Sequence, residues 1–187
     1  MSLNQWFEKG LTADQYITGM TVNQEEMTLI LEKFSLSDTE KERLAPFKEK
    51  GLKAIVLTED WCGDALLNNP VLLKIAAEID MEVRFVLRDQ NLELMDQYLT
   101  NGTSRAIPIF VFIDKDGEEQ AVWGPRAKQI QEIVDRERGQ LPSQDDSEFK
   151  EKQMALYKRL KDSYVEDSSL WHTVAESIID RLAEQSK

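Results

Sequence analysis

The sequence predicts an α/β protein: a central mixed sheet flanked by helices, with further helices added at both ends. Between residues 52 and 138, short strand-forming runs alternate with segments of helical length, and one pair of runs reads as a hairpin. Before that region come three helix starts led by serine or threonine. After it, apolar residues recur at helical spacing close to the C-terminus.

In residues 1–51, Thr12-Ala13-Asp14-Gln15, Thr21-Val22-Asn23-Gln24 and Ser37-Asp38-Thr39-Glu40 each fit a capping box. In such a box a hydroxyl and a side chain three residues on satisfy the unpaired N–H groups that open a helix. Met27, Ile30, Leu31 and Phe34 follow at helical spacing and are expected to face inward, and Gly51 reads as a helix stop. Ala54-Ile55-Val56-Leu57 is a short run suited to a buried strand; residues 65–79 read as a helix, 82–87 as a second strand and 91–99 as another helix. Residues 108–113 and 120–123 flank Asp114-Lys115-Asp116-Gly117, a turn-forming run, and so predict an antiparallel hairpin. Residues 127–138 close the unit as a helix. Gly139 and Pro142 mark a connector to two more helices in residues 144–187. The last of these places Trp171, Val174, Ala175, Ile178 and Leu182 on one face, which is expected to dock on helices around Met27 and Phe34 or on a second copy of the chain. The expected organisation is one domain over 1–187, with a core at 52–138 and helical extensions at 1–51 and 144–187.

The chain has 187 residues, 41% apolar and 31% charged, enough to bury one sizeable core. Its net charge of -12 repels phosphate backbones and anionic lipid, so neither nucleic acid nor a membrane is an expected partner. No apolar run reaches the roughly 18 residues of a membrane span, and MSLNQWFEKG lacks the basic-then-apolar order of a signal peptide; a cytoplasmic location is expected. Cys62 is the single cysteine, so no internal disulfide can form, and with one histidine it cannot build a structural zinc site. His172 reads as a partly exposed helix residue rather than a catalytic base. Asp114-Lys115-Asp116-Gly117 would need a ligand at Phe112 to hold calcium, and a phosphate-binding glycine loop is absent, so neither a metal nor a cofactor is expected.

Cys62 stands in Trp61-Cys62-Gly63-Asp64-Ala65, between a strand run and a helix. With Pro70 eight residues on, Asp89-Gln90-Asn91, Arg105-Ala106-Ile107-Pro108, Asp116-Gly117-Glu118 and Gly124, this order resembles the thioredoxin family over about residues 52–138. The resemblance implies the thioredoxin-like fold, a cis Pro108 and a thiol at the start of a helix. It places Cys62 as the catalytic residue and Trp61, Gly63, Asp64, Ile107, Pro108 and Gly124 as the substrate-binding surface, with the backbone of Ile107 free to pair with an extended peptide. Two departures bear on function. Ala65 stands at the family's second cysteine, and Val56 stands at the buried acid that serves it, so the resolving half of a dithiol cycle is missing.

What remains can attack a disulfide, leaving a mixed disulfide that an external thiol must resolve. Helix N-terminal N–H groups pull a cysteine pKa from about 8.5 toward roughly 7. Glu59, Asp60 and Asp64 act the other way and disfavour an anionic small thiol, unless Arg105 or Arg126 compensates. Two function classes follow. One is a monothiol thiol-disulfide oxidoreductase whose partner is a protein or a low-molecular-weight thiol or disulfide. The other is a redox-inactive thioredoxin-fold module that binds a peptide or protein. The sequence leaves the oligomeric state open.

Overall fold

A computed structural model describes residues 1–184; the last three residues of the expected C-terminal extension lie outside them. Four helices open the chain: α1 (Leu3–Lys9), α2 (Ala13–Gly19), α3 (Gln24–Lys33) and α4 (Asp38–Leu44). Then come β1 (Lys53–Thr58), α5 (Gly63–Glu78), β2 (Glu82–Leu87), the one-turn α6 (Leu92–Met95), and the hairpin β3 (Ile109–Ile113) and β4 (Glu119–Trp123). Three helices finish it: α7 (Lys128–Arg138), α8 (Phe149–Glu166) and α9 (Ser168–Glu184). The four strands form one mixed sheet in the order β2-β1-β3-β4, with β1 parallel to β2 and the other pairs antiparallel.

Strand alternation divides the core in two. Ile55 and Leu57 face a cluster that holds Trp6 and Phe7 of α1, Leu94 and Met95 of α6, and Cys62. Ala54 and Val56 face the other way, into the larger cluster built by α3, α5, α7, α8 and α9. Because α3, α8 and α9 all pack on α5, its residues from Ala65 to Leu72 are buried on every side, Pro70 among them. The apolar face of α9 is buried within the chain, on α5, β4 and α4, and the rings of Trp171 and His172 meet Phe34 edge-on. Docking is thus intramolecular, but its main surface is the central helix and the sheet edge rather than the neighbourhood of Met27. Among the described residues no helix is long and apolar enough to cross a membrane.

The capping boxes at Thr12 and Ser37 form as expected, and a further one, not anticipated, forms at Ser2 with Gln5. The one expected at Thr21 does not. Its N–H and hydroxyl donate instead to Asp60 Oδ2 at 2.8 and 3.2 Å, and α3 starts after Asn23, which takes a left-handed φ of 62° without a side-chain cap. A carboxylate fixed by the fold outcompetes the local cap. The helix expected over 91–99 shrinks to one turn at α6, because only Leu94 and Met95 find a core and Asp96 turns out to meet Arg105 at 2.7 Å. Leu31 is only half-buried, whereas Met27, Ile30 and Phe34 are fully covered. In the hairpin turn Asp114 Oδ1 accepts from the N–H groups of Asp116 and Glu118, and Gly117 takes a φ of 88°.

Candidate functional site around Cys62

Cys62 caps the N-terminus of α5. Its Sγ accepts from the Ala65 N–H at 3.5 Å, while its S–H lies 3.5 Å from the Ile107 carbonyl, to which it donates. The Ile107-Pro108 peptide bond is cis. Gly124 stands behind it with a φ of 128°, and a Cβ there would come within 2.3 Å of the Pro108 carbonyl oxygen, so only glycine lets the two loops meet. The Ile107 carbonyl, expected to be open to a peptide, is occupied by the thiol itself.

Burial decides the state of the sulfur. Cys62 is 8% exposed, and its pKa is pushed up to about 11 by that burial and then by the charge of Asp64. The N–H groups of Ala65 and Asp64 and the Arg126 guanidinium pull it down but lose. Of the two opposed effects that the sequence leaves in balance, the helix terminus is the weaker. Desolvation of a thiolate costs more here than the partial charge of one helix end returns.

The three carboxylates next to Cys62 in sequence are dispersed in space. Glu59 Oε1 accepts from the Asp89 N–H at 2.8 Å, and Asp60 is held by Thr21 and Val22. Asp64 alone acts on the thiol, and it is tied down: Arg126 grips it through Nε at 2.9 Å and Nη2 at 2.7 Å, and the Tyr164 hydroxyl donates to it at 3.3 Å. Arg126 is in turn fixed by Gln131 Oε1 at 2.9 Å. Arg105, the other candidate to offset the acids, is spent on Asp96 instead. Val56 is buried where an acid would stand, and two residues on in the same strand the buried Thr58 Oγ1 meets Asn69 Nδ2 at 3.0 Å and the Tyr16 hydroxyl at 3.4 Å.

Trp61, Cys62, Gly63 and Asp64 line one cavity of about 350 Å³. Ile107, Pro108 and Gly124 do not reach it; they support Cys62 from the sheet side. The opposite wall consists of Val134 and Arg138 from α7 and Tyr157, Leu160, Lys161 and Tyr164 from α8. Sequence reasoning missed that wall. Positions 157, 160, 161 and 164 share one face of a helix by their spacing, but nothing local says that this face meets the start of α5. Trp61 stays half-exposed under the Arg88 guanidinium, 4.9 Å from its ring centre. His172 lies elsewhere, paired through Nδ1 with the buried Glu40 at 2.8 Å. Among the described residues no cluster of side chains is suited to a metal ion.

The chain is similar over its whole length to a crystallised protein of unknown function from Pseudomonas aeruginosa, with a TM-score of 0.71, 17% identity, and 100% and 99% of the two chains covered. A crystallised HIV epitope-scaffold gives 0.68 at 16% identity, covering 96% and 98%. At such identities the likeness shows the fold alone. No curated protein matches the chain. The sequence profile described as Thioredoxin matches residues 10–138, taking in the last N-terminal helices, the whole sheet and the Cys62 loop, and by that match the chain belongs to the thioredoxin family.

Proposed function

We propose that the protein carries out thiol-disulfide exchange through Cys62 alone, holding its partner as a mixed disulfide. The observation that carries this reading is the cavity: its only nucleophilic sulfur is Cys62, set between a cis proline and the start of a helix. In the step, the Cys62 S–H loses its proton to solvent and the thiolate attacks one sulfur of a disulfide. A new S–S bond forms at Cys62, the old one breaks, and the released half departs as a thiolate that takes up a proton. No net oxidation occurs. Since Ala65 stands where a resolving thiol would be, an external thiol must end the cycle. A sulfur of high pKa is also a poor leaving group, so the adduct is long-lived.

Intact mass after incubation with hydroxyethyl disulfide at mildly alkaline pH tests the reading. One mercaptoethanol unit should add to the wild type and none to Cys62→Ser. If the folded chain stays unmodified while the urea-unfolded chain reacts, Cys62 is a structural thiol. A second reading would then lead, a redox-inactive module that binds a peptide or protein, and the protonated state of the sulfur at neutral pH already favours it. A separate check concerns the missing thiol. Insulin reduction by a dithiol-reducing system should be negligible for the wild type. It should rise in Ala65→Cys, whose backbone N–H already lies 3.5 Å from Sγ, but only partly, since Val56 supplies no acid. Brisk wild-type turnover would contradict the single-thiol scheme.

A further inference from the structure

We propose that the cavity beside Cys62 selects low-molecular-weight disulfides whose halves carry a carboxylate, an inference that rests on the exchange reading above. The chain as a whole, at -12, should repel such molecules. The cavity does not share that bias: its lining holds three cations, Arg126, Arg138 and Lys161, against the single carboxylate of Asp64. Two of the three are committed, Arg126 to Asp64 at 2.7 Å and Lys161 to Glu26 at 2.6 Å. The Arg138 side chain is exposed and has no ion pair among the described residues. It supplies the uncompensated charge, in a planar fork that suits a carboxylate.

The remaining surface sets the size and the other half of the chemistry. Val134 and Leu160 form apolar wall, and Trp61 and Tyr157, 50% and 47% exposed, leave aromatic surface in contact with solvent at this site. A volume of about 350 Å³ is near the lower limit of small-molecule sites, too small for a folded partner to enter and suited to a short chain bearing a sulfur at one end and an acid at the other. Since α7 and α8 build most of this wall, the selectivity belongs to the helices that follow the sheet. The Cys62 thiolate attacks one sulfur of such a disulfide, the S–S bond to the other half breaks, and the half that stays attached to Cys62 carries its acid into the cavity.

Three disulfides of similar length serve as probes: dithiodipropionate (anionic), hydroxyethyl disulfide (neutral) and cystamine (cationic). Each rate of adduct formation at Cys62 is divided by the rate for the urea-unfolded chain. Dithiodipropionate should lead the neutral probe by about fivefold, the effect of one unit charge a few ångströms away in a partly solvated site. Arg138→Glu should erase the lead, and cystamine should come last in the wild type. If the neutral probe reacts and the ranking follows the net charge, with cystamine fastest, the exchange reading survives and this inference fails. If no probe adds, the exchange reading itself falls. A non-covalent measurement then decides the cavity on its own: in Cys62→Ser, dithiodipropionate should shift the Trp61 indole resonance, and Arg138→Glu should abolish the shift. An indole that does not move overturns the proposal.

Discussion

Alkylation of Cys62 by iodoacetamide should be slow at neutral pH and climb about tenfold with each pH unit, toward a midpoint at about 11. The sign follows from the causes. Burial disfavours the thiolate, the negative Asp64 disfavours it further, and both raise the pKa, so the reactive form appears only as the pH rises toward the folded value. Against a peptide cysteine of pKa about 8.5, the thiolate fraction near pH 7.4 drops by roughly 2.5 decades. The higher basicity of the anion returns about one decade in nucleophilicity, so a rate some 10- to 100-fold below the peptide is expected. Asp64→Asn should move the profile to lower pH, because it removes the second cause and leaves Arg126 facing the sulfur without its carboxylate. Burial remains, so the variant should still titrate above the peptide. A wild-type rate that levels off below pH 8.5 would show that the helix terminus dominates after all.

The state of that thiol marks the boundary of what the residues disclose by themselves. The strands were legible because their runs are short, apolar and bounded by turn residues. Glu82–Leu87 falls where the pattern puts it, and β1 extends the Ala54–Leu57 run by one residue at each end. The cis bond before Pro108 and the glycine at 124 were legible through resemblance, and the contact of 2.3 Å that a Cβ would make explains the glycine physically. The thiol's state was not legible, because it depends on two opposed effects whose sizes are set by burial, a property of the assembled core. Nor was the fate of the three acids. Asp60 lies next to the tryptophan in sequence, yet its carboxylate serves the start of α3, nearly forty residues earlier in the chain. The same carboxylate defeated the capping box at Thr21. The cavity wall on α8 was hidden for a related reason: helical spacing fixes which residues share a face, while the partner of that face is chosen by long-range packing.

Deleting residues 144–187 should abolish cooperative folding rather than merely lower the melting temperature. These residues include Leu156, Leu160 and Tyr164 of α8 and Trp171, Val174, Ile178, Ile179 and Leu182 of α9, all buried. At about 1.5 to 3 kcal/mol for each large side chain, their loss rivals the whole stability of an ordinary domain, roughly 5 to 15 kcal/mol. The damage is not confined to the missing helices. α5 would lose its cover on the face toward α8 and α9, exposing apolar residues of the helix that Cys62 caps. Trp123 Nε1 would lose Ser177 at 2.9 Å, and the Val122 carbonyl would lose the Arg181 guanidinium at 2.8 Å. The shortened chain should bind a hydrophobic dye, lose its near-ultraviolet circular dichroism and aggregate. A milder variant separates packing from gross truncation: Trp171→Ala should cost about 3 to 5 kcal/mol in denaturant unfolding, since the ring is buried and its Nε1 donates to the Tyr164 carbonyl at 2.7 Å. If instead the full chain sediments as a dimer and residues 1–143 form a monomer with unchanged melting, the helices serve association. Their burial against α5 and β4 within one chain would then have to give way to an exchange between copies.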